Sequence, residues 1–360
     1  MPTSEPTAAD VLSVLEGFPD PETGRKIGQQ GQLADVQVEG SRAQIVLKLS
    51  THSAPLWNQT RADLTEQLQA ALPALTQVEI TVEEFHRPPV AMGQMGLKAK
   101  SVIAVGSGKG GVGKSTIAST IALGLNRAGC KVGLLDADVY GPSVPHLLGA
   151  DSSAGPAPEL PLQPVIKDGL KIMSIGFLVE AGQAVIWRGP MLHKILAQFL
   201  GATNWGELDY LIIDMPPGTG DVALSLSQLL PLSGAVVVCT PQQVALLDAE
   251  KAIAMFNQVK IPVLGMVENM SHFDCPDCGK RYDIFGTGGA KAAAEAHQIP
   301  FLGDVPINMQ IRVRGDDGQT VGVYDDPDVA PYLETVYTNL ARQLSKRATA
   351  TKGMPSLPVL

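Results

Sequence analysis

The stretch Ser101–Thr116, SVIAVGSGKGGVGKST, decides the fold of this 360-residue chain. A run rich in β-branched residues leads into a glycine-rich segment, which is followed by a lysine, two hydroxyl residues and a helical pattern. Gly108, Gly113, Lys114 and Ser115 have the G-x-x-x-x-G-K-[ST] spacing of a phosphate-binding loop. An ordinary glycine-rich turn is the alternative, but it would not explain a strand before the segment and a helix after it. The stretch therefore predicts a nucleotide site.

Phosphate chemistry explains the residue types in this loop. Glycines let successive backbone N–H groups turn inward towards anionic oxygens, and the helix that follows adds its positive N-terminus. Lys114 is expected to reach the β- and γ-phosphates, and the Ser115 hydroxyl to bind Mg²⁺. The predicted nucleotide-contacting residues of the loop are Gly108, Lys109, Gly110, Gly111, Val112, Gly113, Lys114, Ser115 and Thr116.

Lys109 places a second lysine in the loop. From its residue type alone it is either a cation that neutralises charge on the γ-phosphate, as an arginine finger does, or a solvated lysine at the loop rim. The segment KGGVGKST resembles the deviant-Walker branch of the phosphate-loop proteins, which includes nitrogenase iron protein, the Min and Par partitioning ATPases and the Mrp/ApbC iron–sulfur carriers. The resemblance implies a homodimer that encloses two ATP molecules, with the Lys109 of each subunit reaching the nucleotide of the other.

Composition restricts the class of protein. The chain is 45% hydrophobic and 18% charged, which is typical of a globular protein with a substantial core. Its net charge of −9 argues against broad binding to nucleic acid or anionic membranes. No apolar run reaches the length of about 18 residues that a membrane span needs, and the N-terminus lacks a secretory pattern. We therefore expect a cytoplasmic protein without nucleic-acid or membrane partners, in which four cysteines are reduced or bind metal.

The segment before the phosphate loop predicts a separate small domain. Residues 1–85 have the order helix, strand, strand, helix, strand, and the phrase FPDPETG at Phe18–Gly24 resembles the MIP18/DUF59-type domain. Because no cysteine precedes Cys130, a thiolate role for this α+β domain is excluded, and a docking or folding role is left. Residues 86–99, rich in Pro, Gly and Met, predict an interdomain linker without regular structure.

From Ser101 onwards, strand and helix patterns alternate. This alternation predicts an α/β fold, a parallel sheet wrapped by helices on both faces, as in P-loop NTPases with a deviant Walker A loop. The ATPase domain is predicted over residues 100–347, followed by a disordered tail over 348–360, and residues 150–164 are predicted to be a flexible loop. Strands are predicted near 101–106, 131–136, 170–175, 210–214, 235–240, 262–267 and 301–305, and helices near 115–127, 189–200, 222–229, 242–258, 287–297 and 331–346.

Three aspartates follow apolar strands. Asp214, in LIIDMPPG, ends one strand, where the metal-organising aspartate of such hydrolases lies. Asp136 and Asp138, in LLDADVYGPS, lie at the end of another strand. Each also has a plain explanation, as a strand end, a turn or a helix cap. The family resemblance implies that Asp138 orients or deprotonates the attacking water and that Asp136 supports the Mg²⁺ shell.

Asn269 follows the apolar strand Val263–Glu268. Its amide can pair with an adenine edge through both a donor and an acceptor. The resembling family places such an asparagine against adenine, which implies a preference for ATP over GTP. An asparagine that simply ends a strand is the alternative.

Cys275 and Cys278 form a C-x-x-C pair in HFDCPDCGKRYDIFG. From the spacing alone the pair is half of a zinc site, a redox dithiol or half of an iron–sulfur site, since either metal centre usually takes four protein ligands. Two copies of the chain around a twofold axis would supply four thiolates. Cys130 and Cys239 are predicted to be small buried residues.

The surroundings SHFxCPxCG, together with Lys109, resemble the Mrp/ApbC carriers over about residues 98–345. The resemblance implies an ATP hydrolase that needs Mg²⁺ and turns over slowly. It also implies that a homodimer holds a [4Fe–4S] cluster between its two Cys275 and Cys278 pairs and transfers the cluster to apo iron–sulfur proteins. The partners implied are these apo-proteins and cluster-assembly proteins. Two alternatives stay open. One is a partitioning-type ATPase that binds a surface, and the other is a regulatory ATPase whose cysteine pair holds zinc.

Overall fold

The computed structural model describes residues 5–93, 95–150, 160–177, 189–218 and 220–350. The chain divides into two compact units. One contains the residues up to Pro88 together with those from Ala341 onwards, and the other spans Pro89–Leu340.

The N-terminal unit is a three-stranded sheet with two helices. Its elements are α1 (Ala8–Leu15), β1 (Leu33–Glu39), β2 (Arg42–Leu49), α2 (Trp57–Ala71) and β3 (Gln77–Glu84). The predicted order helix, strand, strand, helix, strand is confirmed. β2 lies in the middle, antiparallel to β1 and parallel to β3. Thr7 begins α1 by forming a capping box with Asp10, and apolar residues of both helices and the sheet form a separate core.

The larger unit has the alternation that the sequence predicts. Its strands are β4 (Ala91–Met92), β5 (Leu97–Gly106), β6 (Val132–Asp136), β7 (Val165–Lys167), β8 (Leu170–Ser174), β9 (Leu208–Asp214), β10 (Gly234–Cys239), β11 (Val263–Asn269), β12 (Phe273–Asp274), β13 (Arg281–Tyr282) and β14 (Phe301–Val305). Its helices are α3 (Lys114–Arg127), α4 (Val144–Leu148), α5 (Gly189–Gly201), α6 (Gly220–Leu229), α7 (Gln243–Gln258), α8 (Gly289–Ala296) and α9 (Met309–Asp316). The last helix, α10 (Ala330–Ala350), begins in this unit, and its residues from Ala341 belong to the N-terminal unit.

The main sheet has the order β14-β11-β10-β5-β9-β6-β8-β7, and β4 pairs with β5. All its long strands run parallel, so the predicted fold class is confirmed. Two short strands depart from the expectation because β4 and β7 pair antiparallel to β5 and β8. The prediction that residues 86–99 contain no regular element is therefore wrong, since β4 and the start of β5 lie there.

The position of β5 places the phosphate loop. Residues 101–106 of β5 are fully buried, as expected for a central strand covered on both faces. The strands β6 to β9, which follow β5 in the chain, lie on one side of β5 in the strand order. The later strands β10, β11 and β14 lie on its other side, so β5 lies at a topological switch point. Ligands of open α/β sheets bind at such points, beyond the carboxyl ends of the strands.

Two predicted loops fall partly outside the described residues. Residues 151–159 of the predicted loop at 150–164 and residues 351–360 of the predicted tail are among those not described. α10 extends to Ala350, three residues into the segment predicted as tail. Among the described residues, no helix combines the length and apolar character needed to cross a membrane.

Candidate functional site

The phosphate loop connects β5 to α3 and is shaped by two glycines. A side chain at Gly108 would overlap the backbone carbonyl of Asp248 in α7, so the loop lies directly against that helix. Gly113 has a φ of +78°, a left-handed conformation that glycine adopts without strain, and it immediately precedes the first turn of α3. The loop's N–H groups are therefore presented at the positive end of a helix.

The strand register brings two of the three predicted aspartates together. Asp136 in β6 pairs directly with Asp214 in β9, and Val105 in β5 pairs with Asp214 from the other side. Both carboxylates are fully buried at the carboxyl edge of the sheet. Asp138 follows two residues later and is also buried.

Lys114 connects this acidic group with the loop. Its ammonium donates to Asp214 Oδ1 at 2.6 Å, lies 3.8 Å from Asp138 Oδ2 and contacts Ser115 Oγ at 3.1 Å. The residue is only 6% exposed. A buried ammonium requires such partners, because an unpaired charge in the interior costs several kcal/mol.

Burial perturbs both carboxyl groups of the strand pair. Burial, and then the charge of Asp214, raise the pKa of Asp136 to about 7. Burial also raises the pKa of Asp214, against the lowering effect of the Lys114 ammonium beside it. Strongly perturbed acids in a cleft are typical of functional sites.

The residues present fit a magnesium ion. Asp214 Oδ2 is buried and has no hydrogen-bond partner among the described residues. Such an atom costs free energy unless a cation or a water completes its shell. The Ser115 hydroxyl and the Asp214 carboxylate are hard oxygen ligands of the kind that Mg²⁺ prefers.

Asp136 and Asp138 hold the loop that follows β6. Asp136 accepts hydrogen bonds from the N–H of Asp138, the N–H of Val144 and the Ser174 hydroxyl, at 3.1, 3.2 and 3.0 Å. Asp138 Oδ1 accepts from the N–H groups of the turn that follows it. Both oxygens of Asp136 are thus engaged, whereas Asp138 Oδ2 faces Lys114.

Lys109 differs from Lys114 in its surroundings. Its side chain is half-buried, and no carboxylate among the described residues forms an ion pair with its ammonium. Its backbone carbonyl accepts a hydrogen bond from Ser107 Oγ at 2.9 Å, which fixes the loop at that point.

Asn269 contacts the phosphate loop. Its Nδ2 donates to the carbonyl of Val112 at 2.9 Å, and the residue is buried at the end of β11. A side chain on Gly113 would overlap the same amide nitrogen. The structure therefore brings Asn269 to the loop backbone, across 157 residues of sequence.

The cysteine pair lies in an exposed hairpin formed by β12 and β13. Within the turn, the Cys275 N–H donates to Lys280 O and the Gly279 N–H donates to Cys275 O, at 3.0 and 2.8 Å. Cys275 is half-buried and Cys278 is exposed. The N–H groups of Cys278 and Asp277 lower the pKa of the Cys275 thiol, which favours the thiolate that binds metal.

One chain does not complete a metal centre at this hairpin. Within the described ranges, no cluster of three or more His, Cys, Asp or Glu side chains could hold a metal ion. Cys130 and Cys239 are buried, as predicted, and burial raises the pKa of Cys239 to about 12.

Comparison with known proteins places these features in a family. Residues 98–345 match the family model described as NUBPL iron-transfer P-loop NTPase, and residues 8–82 match the model described as iron-sulfur cluster assembly protein. The iron-sulfur cluster carrier protein of Deinococcus radiodurans is 44% identical over 97% of this chain and 99% of its own. The chain belongs to the iron–sulfur cluster carrier family of P-loop NTPases.

A second relative and a solved structure agree with this assignment. The iron-sulfur cluster transfer protein NUBPL of Dictyostelium discoideum is 47% identical over 69% of this chain and 76% of its own. A nucleotide-binding protein of Archaeoglobus fulgidus, solved in complex with ADP, is 43% identical with a TM-score of 0.55, covering 62% of this chain and 88% of that one. The resemblance to the carrier family that the sequence predicts is therefore confirmed.

In this carrier-family chain, the predicted residues fall into two groups. The phosphate loop, Asp136, Asp138, Asp214 and Asn269 gather at the carboxyl edge of the sheet, and Cys275 and Cys278 lie in the hairpin that follows β11. Sequence reasoning missed Ser174, which binds Asp136, and His272, which lies buried at the base of the hairpin. His272 is part of the SHFxCPxCG motif, but the sequence does not indicate its contacts with Ser271 and Asp274.

Proposed function

We propose that the protein is an ATP hydrolase that holds a [4Fe–4S] cluster between two copies of the chain and transfers it to apo iron–sulfur proteins in the cytoplasm. The observation that carries the proposal is the hairpin. Cys275 and Cys278 are accessible, the thiol of Cys275 has a lowered pKa, and one chain supplies only half of the four thiolates that such a cluster takes.

In the proposed reaction, water attacks the γ-phosphorus of ATP and ADP leaves. Lys114 would contact the β- and γ-phosphates once they displace its present carboxylate partners. Asp138, whose Oδ2 faces the loop, would orient the water and take its proton. Ser115 and Asp214 would hold Mg²⁺, which neutralises phosphate charge when bound.

Three further residues have proposed roles in the nucleotide site. Lys109 would reach the γ-phosphate of the ATP that the partner subunit binds. This role agrees with the absence of a carboxylate partner for its ammonium among the described residues. Asn269 would recognise the adenine base. Its amide, which now donates to Val112 O, would have to break this hydrogen bond or form a second one to the base. Asp136 would support the metal site indirectly, by fixing the loop that carries Asp138.

The proposed cluster site lies on a twofold axis. Two hairpins facing each other would supply four thiolates, and their exposure would let a recipient apo-protein exchange its own thiolates for them. Residues 1–85 would form a docking or folding domain, joined by residues 86–99 to an ATPase domain over 100–347.

Anaerobic reconstitution with iron and sulfide tests the cluster. We expect the wild-type protein to gain visible absorption and about four iron atoms per dimer, and the Cys275→Ala/Cys278→Ala variant to gain neither while it still binds ATP. A Cys130→Ala/Cys239→Ala variant is the matched control, because it removes two thiols that are buried. A colourless wild-type protein with stoichiometric zinc would contradict the proposal and favour the zinc-binding regulatory ATPase.

A further inference from the structure

His272 lies at the base of the cysteine hairpin. It is 1% exposed, although the hairpin that follows it is exposed almost throughout. Every residue from Asp274 to Ile284 is exposed except Cys275, which is half-buried, and β12 and β13 contribute two residues each. A hairpin of this size has little stability of its own, so its position depends on what holds its base.

The imidazole of His272 has polar partners on both sides. Its Nδ1 lies 2.8 Å from Ser271 Oγ, which donates to Asp304 Oδ2 at 2.9 Å. Its Nε2 lies 3.2 Å from Asp274 Oδ2 and 3.4 Å from the hydroxyl of Tyr332. The ring therefore lies between the Asp274 carboxylate of the hairpin and the Ser271–Asp304 pair at the edge of the sheet.

Strand pairing and backbone hydrogen bonds hold the sheet side of this connection. Asp304 is in β14, which pairs with β11, and the register places Asn269 opposite Val305. The backbone adds two further bonds, from the Ser271 N–H to Val305 O and from the Ile307 N–H to His272 O, at 3.0 and 2.6 Å. Asn269, the last residue of β11, binds the phosphate loop at Val112.

We propose that His272 is a positioning residue of the cysteine site: through Asp274 it fixes the hairpin, and with it Cys275 and Cys278, to the strand ends that also contact the phosphate loop. The proposal deepens the proposed function and rests on it for the identity of the bound cluster. The placement of the hairpin itself is a property of the chain without any ligand, and can be tested separately.

Asp274 offers the sharper test, because its side chain is half exposed and its removal leaves the core intact. Asp274→Ala removes the acceptor that faces Nε2, whereas Asp274→Asn keeps an acceptor oxygen and loses only the charge. Asp283→Ala is the matched control. Asp283 is a carboxylate of the same hairpin, and its ion pair is with exposed Arg281, not with His272.

Hydrogen exchange of the full-length protein without cluster or nucleotide gives the first measurement. We expect Asp274→Ala to speed exchange of the Cys275 and Gly279 amides by up to about tenfold, the factor that the loss of one hydrogen-bonding contact implies. Asp274→Asn and Asp283→Ala should stay near wild type. Equal exchange in Asp274→Ala and Asp283→Ala, or an Asp274→Asn variant as fast as Asp274→Ala, would overturn the proposal.

His272→Phe gives an independent test, since it keeps a ring against Tyr332 and removes the polar contacts of both ring nitrogens. We expect it to exchange the same two amides as fast as Asp274→Ala, and unchanged exchange in a folded variant would overturn the proposal. If it fails to fold, the Asp274 variants decide.

Iron uptake on reconstitution gives a second readout. Variants with faster exchange of the hairpin amides should take up less iron. A wild type that takes up no iron would refute the proposed function, while the exchange result would stay valid.

Discussion

Two lysines of the phosphate loop differ sharply at the scale of single residues. Lys114 is buried among carboxylates, whereas no carboxylate among the described residues pairs with the ammonium of Lys109. We expect Lys114→Ala to abolish ATP hydrolysis, because the charge that meets the phosphates is lost. Lys109→Ala should leave ATP affinity nearly intact and lower kcat by about 10³-fold or more, as loss of an arginine finger does. Steady-state hydrolysis and equilibrium nucleotide binding measure the two effects, and a Lys109→Ala variant with wild-type turnover would show that Lys109 does not act in trans.

The raised pKa of Asp136 makes the stability of the nucleotide-free protein depend on pH. Its folded-state pKa of about 7 lies above the ordinary value of 3.8, so between these values the folded state binds more protons than the unfolded state. The contribution of this group to the free energy of unfolding therefore falls as pH rises from about 4 to about 7, by up to about 4 kcal/mol. Denaturation in the presence of a chelator should show a shallower fall for Asp136→Asn than for the wild type, and parallel slopes would mean that another group carries the dependence.

At the scale of elements, β11 organises its surroundings through its last two residues. Buried Glu268 accepts from the N–H groups of Gly288 and Ala290, at 3.1 and 2.7 Å, and so caps the N-terminus of α8. We expect Glu268→Ala to lower the free energy of unfolding by about 1–3 kcal/mol, because it leaves two amides without their charged acceptor. Glu295→Ala, at an exposed position of the same helix, is the control and should change stability by less than about 0.5 kcal/mol in urea denaturation.

Gly113 tests the contact between β11 and the phosphate loop. Alanine at either Gly111 or Gly113 would be forced into the left-handed region, since their φ angles are +80° and +78°. Only at Gly113 would the new methyl group overlap the Asn269 amide, because Gly111 faces open space. Without nucleotide, Gly113→Ala should therefore be less stable than Gly111→Ala by about 1 kcal/mol, the value of a lost hydrogen bond. Equal stability of the two variants would show that Asn269 adjusts without cost.

The long elements could be predicted from the sequence and the short ones could not. Buried apolar runs and helical patterns mark β5, β9 and α7 locally, whereas β4, β7, β12 and β13 have two or three residues each and exist through pairing with a neighbour. α9 was also missed, since its sequence MQIRVRGD has no apolar stripe.

The candidate site divides in the same way. The phosphate loop and the positions of Asp136 and Asp214 at strand ends could be predicted, because the carboxyl ends of parallel strands meet at one edge of the sheet. The bond from Asn269 to Val112 and the contacts of His272 depend on tertiary packing between distant segments, and no local pattern encodes them.

At the scale of the whole molecule, the proposed dimer couples the two sites. If ATP and the cluster both favour one arrangement of subunits, each must change the affinity for the other by the same factor, typically about 5–150-fold. We expect the cluster-loaded protein to sediment as a dimer and MgATP to change the rate of cluster transfer to an apo-protein, relative to ADP or no nucleotide. A loaded monomer would contradict the bridging cluster, and a dimer whose transfer ignores nucleotide would remove ATP from the delivery step.

Because Asp214 already neutralises Lys114, an arriving triphosphate meets no unpaired ammonium at the bottom of the loop. Without magnesium, the triphosphate has to displace the Asp214 carboxylate from Lys114. Asp214 is then left without a counter-ion, beside the carboxyl groups of Asp136 and Asp138. Nucleotide and metal should therefore enter as one complex. Lowering the free magnesium concentration should weaken nucleotide retention steeply, and a chelator should strip bound nucleotide from the protein faster than dilution alone.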